Sequence, residues 1–158
     1  MIPRRLLLGI LSSFALTPVA LAAKAYEVNR TEAEWKALLT PEQFEVLRRA
    51  GTERPYSSPL DKEKRAGVFS CAGCKLPLFS SATKFDSGTG WPSFYQPLAN
   101  AVEKAADNSL GMSRDEVLCR RCGGHLGHVF DDGPKPTGLR YCMNGLALAF
   151  AAGTAPPA

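Results

Sequence analysis

The arrangement of five cysteines constrains this chain more than any other feature of its sequence. Four of them form two Cys-x-x-Cys pairs, Cys71 with Cys74 and Cys119 with Cys122. Each pair has the spacing and the turn residues of half a zinc site. The fifth, Cys142, is left over in the segment RYCMN. A leftover cysteine of this kind is a candidate reactive thiol.

The paired cysteines predict a single structural zinc site with four cysteine ligands. Gly73, Gly123 and Gly124 allow tight turns in which backbone N–H groups point at the thiolates. Four thiolates complete a tetrahedral site and leave no position for water, which is typical of structural zinc. Two local disulfides, or one crossed pair, are the alternative in an oxidising compartment. A zinc ion here would tie together two strands that lie far apart in the sequence.

Residues 1–22 predict an export signal rather than a part of the fold. Arg4 and Arg5 precede an apolar run from Leu6 to Leu21, and Ala20-Leu21-Ala22 has a small-residue cleavage pattern. An uncleaved membrane anchor is the alternative, but the run is short and contains serine, threonine and proline. The arginine pair fits either a simple basic start or a twin-arginine signal. The predicted location after cleavage is the periplasm.

The length and the charge of the chain limit the number of domains and the kinds of partner it can have. A chain of 158 residues is long enough for one domain and short for two. It has 19 basic and 15 acidic residues, and removal of Arg4 and Arg5 leaves 17 basic residues and a net charge of +2. The basic residues form no stripe, so nucleic acid is not an expected partner.

Two short helices are predicted before residue 52. Thr31 with Glu34, and Thr40 with Gln43, have the spacing of capping boxes, and proline at position 41 suits a first helical turn. Gly51 is predicted to end the second helix. The apolar residues expected on the packed faces are Trp35, Leu38, Leu39, Phe44 and Leu47. This helical hairpin is expected to pack on the outside of the main fold.

From Gly67 onward the pattern changes to that of β-strands. Short runs of three to eight residues are separated by glycine, proline, asparagine and aspartate, which predicts an antiparallel, mainly β body. The last predicted strand runs from Leu146 to Ala151. Residues 52–65 are polar and predict an extended surface loop, and residues 153–158 predict a disordered tail.

Two histidines and a tryptophan are candidates for a functional site. His125 and His128 lie three residues apart in GGHLGHVFDDGP. That spacing places them on opposite faces of a regular strand, but a turn at Gly127 would let them converge. Trp91 lies in the glycine-flanked segment FDSGTGWPSF, and it is either a lid on the core or an apolar wall for a small methyl-bearing ligand.

These motifs together resemble the B-type methionine sulfoxide reductases, which act on the R epimer. FDSGTGWPSF, GGHLGHVFDDGP and RYCMN follow the order of that family, beside the two Cys-x-x-Cys pairs. The resemblance runs from about Thr31 to Phe150. It implies one domain over residues 23–152, with two antiparallel β-sheets around a zinc-tied core and a short N-terminal helical hairpin. It also implies oxidised proteins or peptides as substrates and Cys142 as the nucleophile.

The residues fit thiol chemistry on a sulfoxide. A soft nucleophile must attack sulfur while a proton donor serves the departing oxygen, which gives methionine and a sulfenic acid on Cys142. Arg140 and an imidazolium are expected to lower the thiol pKa from its ordinary value of ~8.5. The resemblance places His125 and His128 at the sulfoxide oxygen. Asn144 is expected to donate a hydrogen bond, or to hold a histidine or a water.

Four further expectations concern substrate binding, support of the site and recycling. Trp91 would pack against the methyl group and Arg140 is assigned to substrate binding, whereas Asp132 either orients a histidine or serves a turn. Many family members carry a resolving cysteine where this chain has Thr89. We therefore expect an external thiol, either small or on a thioredoxin-like protein, to reduce the oxidised Cys142 directly.

Two functions from other classes stay open on sequence alone. The first is a zinc-stabilised module that binds protein segments without chemistry. The second is a peroxidase-like thiol enzyme, which would turn over peroxide and show no preference between sulfoxide epimers.

Overall fold

The structure is a computed structural model that describes residues 24–157. This part of the chain folds into two antiparallel β-sheets and two short α-helices, which confirms the predicted fold class. The predicted signal peptide, residues 1–22, lies outside the described residues. Within them, no helix combines the length and the apolar character needed to span a bilayer.

Nine strands account for the β body in the described part of the chain. They are β1 Gly67–Cys71, β2 Pro77–Ser80, β3 Lys84–Phe85, β4 Ser93–Phe94, β5 Val102–Asp107, β6 Arg114–Cys119, β7 His125–Phe130, β8 Arg140–Met143 and β9 Leu148–Ala152. The smaller sheet has the order β2-β1-β9, and the larger sheet has the order β3-β4-β8-β7-β6-β5. All neighbouring strands are antiparallel.

The helices α1 (Glu32–Leu38) and α2 (Pro41–Arg49) begin where the capping residues predicted. The Thr31 hydroxyl accepts the N–H of Glu34 at 3.3 Å, and the Thr40 hydroxyl accepts the N–H of Gln43 at 3.2 Å. Both reciprocal contacts of the capping boxes are present. Each capping residue is worth about 1 kcal/mol, which matters for helices this short.

Four of the five predicted packing residues of the helices are buried, but Leu38 is 56% exposed. Trp35 and Leu39 are four residues apart and define the packed face, so Leu38 falls on its flank. In α2, Val46 is buried although it was not among the predicted packing residues. These side chains join the main hydrophobic core, so the hairpin packs against the β body rather than lying loosely outside it.

The second helix ends one residue earlier than the glycine predicted. Ala50 takes the left-handed conformation, with φ of 52°. Gly51 follows it, and its N–H donates to the Glu45 carbonyl at 2.9 Å. A Cβ at position 51 would lie 2.9 Å from that oxygen, so the glycine is needed for this close approach.

Three phenylalanines join the two sheets. Phe69 in β1 meets Phe94 in β4 edge to face at a centroid distance of 4.9 Å, and Phe79 in β2 stacks on Phe94 at 4.4 Å. All three rings are fully buried. Each contributes roughly 2–3 kcal/mol through burial. Because side chains alternate along a strand, the residue beside Phe94 in β4, Ser93, faces away from this core.

The end of the chain differs from the predicted strand. A 3₁₀ turn, Gly145–Ala147, separates β8 from β9, so Leu146 lies in the turn and the strand begins at Leu148. Beyond β9, the N–H of Gly153 donates to the Ala66 carbonyl at 3.0 Å. The residues that follow, up to 157, have no regular secondary structure, and the disordered tail stays a prediction.

Candidate active site and metal centre

Cys142 lies near the middle of the larger sheet, in a row of side chains that crosses four strands. It is directly opposite Ser93 in β4 on one side and His128 in β7 on the other. His128 is in turn opposite Glu116 in β6. Directly opposed residues project from the same face of a sheet. The thiol therefore shares a face with an imidazole and two further polar groups.

A β-bulge brings the two histidines to the same face. The register between β6 and β7 pairs Val117 with Gly127 and Leu118 with His125, so Leu126 is the extra residue. Residues three apart point to opposite faces of a regular strand, and the one extra residue of the bulge returns His125 and His128 to the same face. Their ring centroids lie 5.4 Å apart. The histidines thus converge, as the sequence analysis allowed, but through a bulge and not a turn.

Each histidine is held by its own carboxylate. Nδ1 of His125 lies 2.6 Å from Glu116 Oε1, and Nε2 of His128 lies 2.8 Å from Asp107 Oδ2. Burial lowers the pKa of His125, although Glu116 acts in the opposite direction. A neutral His125 donates its Nδ1–H to Glu116. Hydrogen bonds from Ser109 come first among the causes that hold the pKa of Asp107 low, and His128 adds to them.

A small cavity of about 140 Å³ opens over this row. Its walls combine two aromatic rings, a thiol and several polar groups. The lining residues are Thr52, Trp91, Arg114, Gly127, His128, Phe130, Cys142 and Asn144. Such a cavity can hold a small group that is apolar on one side and polar on the other.

Hydroxyl groups approach the Cys142 sulfur from the β4 side. Thr89 Oγ1 lies 3.9 Å from Cys142 Sγ, and Ser87 Oγ lies 2.8 Å from both Thr89 Oγ1 and Ser93 Oγ. Burial raises the pKa of Cys142, although Thr89 and Arg140 pull it down. The prediction of a lowered thiol pKa is therefore wrong, because desolvation outweighs the nearby positive charge.

Arg140 and Asp132 pair with each other instead of acting separately. Arg140 Nε and Nη2 donate to the two Asp132 carboxylate oxygens at 2.8 and 2.9 Å. The guanidinium also lies over the Phe130 ring, 4.4 Å from its centroid. Asp132 makes no hydrogen bond to either histidine among the described contacts, so its suggested role as a histidine partner is not supported. Arg140 packs on Phe130, which lines the cavity, but Arg140 is not among the lining residues.

Asn144 and Trp91 are both anchored to Glu53. Asn144 Oδ1 accepts the N–H of Glu53 at 3.0 Å, and its Nδ2 donates to the Leu126 carbonyl at the bulge at 3.2 Å. The Trp91 indole Nε1–H donates to the Glu53 carbonyl at 3.2 Å. The amide of Asn144 is thus used on backbone groups, and it does not contact a histidine.

The four paired cysteines meet at one place, beside the sheet that carries Cys142. Their sulfurs all lie within 4.8 Å of one another. Two of the sulfur–sulfur separations are 3.5 Å, for Cys74 and Cys119, and 3.8 Å, for Cys71 and Cys122. A disulfide needs about 2.05 Å, so the thiols are free. Zinc–sulfur bonds of about 2.3 Å in a tetrahedron place sulfurs roughly 3.8 Å apart, so the residues fit a four-thiolate ion.

The two knuckles have the same backbone geometry. The N–H of Lys75 donates to the Cys71 carbonyl at 2.9 Å, and the N–H of Gly123 donates to the Cys119 carbonyl at 2.8 Å. Both donors have positive φ, 64° and 66°. The left-handed residue therefore follows the second cysteine of each pair, and in the first knuckle a lysine takes the place that glycine favours.

The metal centre supports the Cys142 strand through short connections. The N–H of Ala72 in the first knuckle donates to the Ala147 carbonyl, in the 3₁₀ turn after β8, at 2.9 Å. Arg48 of α2 donates to the Cys122 carbonyl at 3.0 Å. The second knuckle leads directly into β7, which carries both histidines. An ion at this position would fix the ends of the strands that form the site.

Comparisons with known proteins agree with this geometry. Residues 39–152 match the SelR domain. The chain is 56% identical over 126 residues to a protein of Leptospira interrogans, which covers 79% of this chain and 96% of the relative. It is 57% identical over 123 residues to a protein of Pseudomonas syringae, which covers 77% and 94%. Both relatives are named Peptide methionine sulfoxide reductase MsrB. This chain belongs to the MsrB family.

Four of the six residues predicted for the MsrB site line the cavity. They are Cys142, His128, Trp91 and Asn144. The other two do not line it: His125 is 4% exposed and packs against His128, and Arg140 packs against Phe130. The structure thus gathers all six residues in one region, while their roles in chemistry stay predictions.

Other residues of the MsrB site were missed by the sequence analysis. Arg114 and Phe130 line the cavity, and Asp107 and Glu116 hold the histidines. Glu53 is buried within the polar segment that predicted a surface loop. Glu116 lies in the predicted strand run EVLCRR, whereas Asp107 directly follows the predicted run AVEKAA. No local pattern marks Glu53.

Proposed function

We propose that this chain reduces the R epimer of methionine sulfoxide in oxidised proteins by attack of Cys142 on the sulfoxide sulfur. Membership of the MsrB family makes it a peptide-methionine (R)-S-oxide reductase. The observation that carries the assignment to Cys142 is a free thiol that faces a cavity walled by Trp91 and Phe130 and edged by His128. Aromatic walls suit the S-methyl group, and the imidazole suits the oxygen.

The reaction balances with the residues of the cavity. The Cys142 sulfur attacks the substrate sulfur, and His128 delivers a proton to the sulfoxide oxygen as the S–O bond breaks. The oxygen leaves as water, and a water molecule then attacks the Cys142 sulfur and breaks the S–S bond to the substrate, which leaves as methionine while Cys142 becomes a sulfenic acid. Cys142 is oxidised by two electrons and the substrate is reduced by two. Because its free thiol has a raised pKa, Cys142 is expected to lose its proton only when substrate and imidazole are both in place.

Recycling uses a thiol from outside the chain. Thr89 has no sulfur, and the other four thiols lie together at the metal centre. One external thiol condenses with the sulfenic acid to give a mixed disulfide and water, and a second thiol releases Cys142 and leaves as a disulfide. The reductant is either a small thiol or a thioredoxin-like protein.

The metal centre is proposed to hold one zinc ion bound by Cys71, Cys74, Cys119 and Cys122. Its contribution is structural, because four thiolates leave no coordination position for substrate or water. The knuckles, α2 and the turn after β8 are joined by the backbone contacts described above. The metal content of the purified protein, measured by mass spectrometry under native conditions, tests this assignment and should give one zinc per chain.

We also propose that residues 1–22 direct export to the periplasm and are removed after Ala22. The basic start, the apolar run and the Ala20-Leu21-Ala22 pattern support it. Mass spectrometry of the protein from the periplasmic fraction should find Ala23 as the first residue. Replacement of Arg4 and Arg5 by lysine should abolish export if the route is twin-arginine, and should leave it intact otherwise.

The decisive experiment assays both sulfoxide epimers of one peptide with the wild type and with Cys142→Ser. Selective turnover of the R epimer that disappears in Cys142→Ser supports the proposal. Binding of oxidised protein without turnover, unchanged in Cys142→Ser, would identify a binding module instead. Turnover of peroxide with equal activity on both epimers would identify a peroxidase-like enzyme.

The recycling step has its own test. Wild-type protein is exposed to substrate without a reductant and analysed by mass spectrometry. A sulfenic acid, or its trapped adduct, on Cys142 is expected. An intramolecular disulfide involving Cys142 would contradict the one-cysteine cycle.

A further inference from the structure

Glu53 connects three parts of the site although it belongs to an irregular segment between α2 and β1. Its N–H donates to Asn144 Oδ1 at 3.0 Å, and its carbonyl accepts the Trp91 indole N–H at 3.2 Å. Its carboxylate accepts the N–H groups of Gly145 and Leu146 at 2.6 and 2.9 Å. Four hydrogen bonds thus leave one residue and reach the Trp91 segment, the residue two after Cys142, and the turn that ends the Cys142 strand.

The carboxylate of Glu53 is unusual in its setting. Glu53 is 7% exposed, and no basic side chain pairs with it among the described ion pairs. Burial raises its pKa, although the Gly145 and Leu146 N–H groups oppose this. A buried carboxylate without a cation is costly unless it is satisfied by hydrogen bonds. Here backbone N–H groups supply them, so the carboxylate fixes the main chain of residues 53 and 145–146 relative to each other.

The two other bonds hold side chains that line the cavity. Trp91 forms an apolar wall, and Asn144 forms a polar edge close to Cys142. Both are held by the main chain of Glu53, so their positions depend on where that main chain lies. Glu53 itself does not line the cavity, so its contacts with Trp91 and Asn144 run through its main chain and not through its carboxylate.

We propose that Glu53 is a positioning residue for the reductase reaction, which sets Trp91 and Asn144 against Cys142 and so determines the preference for one sulfoxide epimer. The inference rests on the proposed function of Cys142. A displaced indole would leave room for the methyl group in a second orientation. Loss of the carboxylate should therefore weaken epimer discrimination as well as turnover.

The variant Glu53→Gln tests this inference. A glutamine side chain fits the same space but has one acceptor oxygen, so only one of the two backbone N–H groups keeps its partner. We expect kcat/KM for the R-sulfoxide peptide to fall roughly tenfold to a hundredfold, as for a small misplacement of binding groups. The ratio of R to S turnover should fall as well. A carboxylate with only a structural role would lower the melting temperature and leave this ratio unchanged.

A matched control lies in the same segment. Asp61 is also buried, at 6% exposure, but it has no described contact with Trp91 or Asn144. Asp61→Asn should leave the epimer ratio at its wild-type value. Labelling with 5-fluorotryptophan gives one fluorine NMR signal for each of the two tryptophans, Trp35 and Trp91. Glu53→Gln should shift the Trp91 signal only, and Asp61→Asn should shift neither.

A double-mutant cycle with Trp91→Phe tests whether Glu53 acts through the indole, and it is made with Glu53→Asp if Glu53→Gln folds poorly. Trp91→Phe keeps an aromatic ring but removes the donor to the Glu53 carbonyl. If Glu53 acts through Trp91, adding Glu53→Gln to Trp91→Phe should cost less activity than it costs in the wild type. The more conservative Glu53→Asp, with a shorter reach, provides a second entry point to the same cycle.

The possible results distinguish failure of the Glu53 inference from failure of the proposed function of Cys142. Wild-type kcat/KM, epimer ratio and Trp91 signal in Glu53→Gln would overturn the positioning role and leave the Cys142 proposal intact. Additive effects in the double-mutant cycle would overturn it too. Undiminished R-specific turnover in Cys142→Ser would overturn the proposed function itself, whatever Glu53→Gln shows.

Discussion

The cysteine sulfurs of this protein lie in two different surroundings, and the surroundings decide what each sulfur can do. At the metal centre, four cysteines lie within 4.8 Å of one another, and turns of identical geometry present them to a common point. At the other site, Cys142 lies alone in a strand, beside hydroxyl groups, an imidazole and a cavity. Four sulfurs gathered at one point are placed to share a metal ion, whereas the isolated sulfur of Cys142 stays available for reaction with a substrate.

Loss of one cysteine at the metal centre should have the largest effect. Structural zinc in small domains contributes on the order of 10 kcal/mol to folding, which equals the whole stability of many domains. Cys119→Ser should therefore lack zinc and unfold, as measured by metal analysis and circular dichroism. Cys142→Ser is the control and should keep one zinc. A folded, zinc-free Cys119→Ser protein would contradict the structural role of the ion.

The reverse pattern is expected for Cys142. Cys142→Ser should lower R-sulfoxide turnover by a factor on the order of 10³ or more, because the nucleophile is gone. Its free energy of unfolding should stay within about 1 kcal/mol of the wild type, since serine is close to isosteric. Peptide turnover and chemical denaturation measure the two quantities. A large loss of stability would mean that the two sites are not independent.

His128 and its carboxylate should come next. His128→Asn should lower kcat by roughly a hundredfold, the usual contribution of a positioned proton donor. Asp107→Asn should cost less, because it removes only the partner at 2.8 Å. Asp115 lies on the neighbouring strand β6 without a described contact to either histidine, and it provides the control Asp115→Asn, which should keep wild-type kcat. Equal losses in the two aspartate variants would point to a general effect of charge.

Thr89 tests the hydroxyl groups around the thiol. Thr89→Val should slow alkylation of Cys142 by about three- to tenfold near neutral pH, since one hydrogen bond to the thiolate is lost. Thr89→Ser should react at close to the wild-type rate. Arg140, His128 and Arg114 are the charged or titratable groups nearby on β8, β7 and β6, and both variants keep them. Unchanged alkylation in Thr89→Val would show that the 3.9 Å contact has no influence.

The smallest expected effect concerns pH and His125. Burial lowers its pKa below the ordinary 6.5, so the unfolded chain binds the proton more readily than the folded one. The free energy of unfolding should therefore fall as pH drops below about 6.5, towards the lowered pKa. His125→Gln should lose this part of the pH dependence, measured by denaturation at several pH values. As pH falls, the free energy of unfolding should decrease more steeply in the wild type than in His125→Gln.

The metal centre could be predicted from the sequence, and much of the cavity could not. The cysteine pairs and the capping residues Thr31 and Thr40 act within a few residues, so local spacing reveals them. The Leu126 bulge and the register of β4 against β8 depend on contacts between distant strands. Sequence analysis found His125 and His128, but it could not tell how they converge. Which carboxylates bind the two histidines depends on the register between strands, which the sequence alone does not give.

Two errors show where local rules fail. Leu38 fits a helical face but is exposed, because the packed face is set by what the β body offers. Cys142 was expected to have a lowered pKa from charged neighbours in sequence, but its burial decides the direction. Glu53 gave no local signal at all, and its importance follows from hydrogen bonds to residues about 40 and 90 positions away.

The position of Cys142 within a sheet has a kinetic consequence. A sulfur on a central strand, paired on both sides, cannot swing out on a flexible arm to meet a second partner. The reductant must enter through the same opening that the repaired methionine leaves, so the two occupy it in turn. Initial-rate plots at several fixed reductant concentrations should accordingly give parallel lines, the signature of ping-pong exchange.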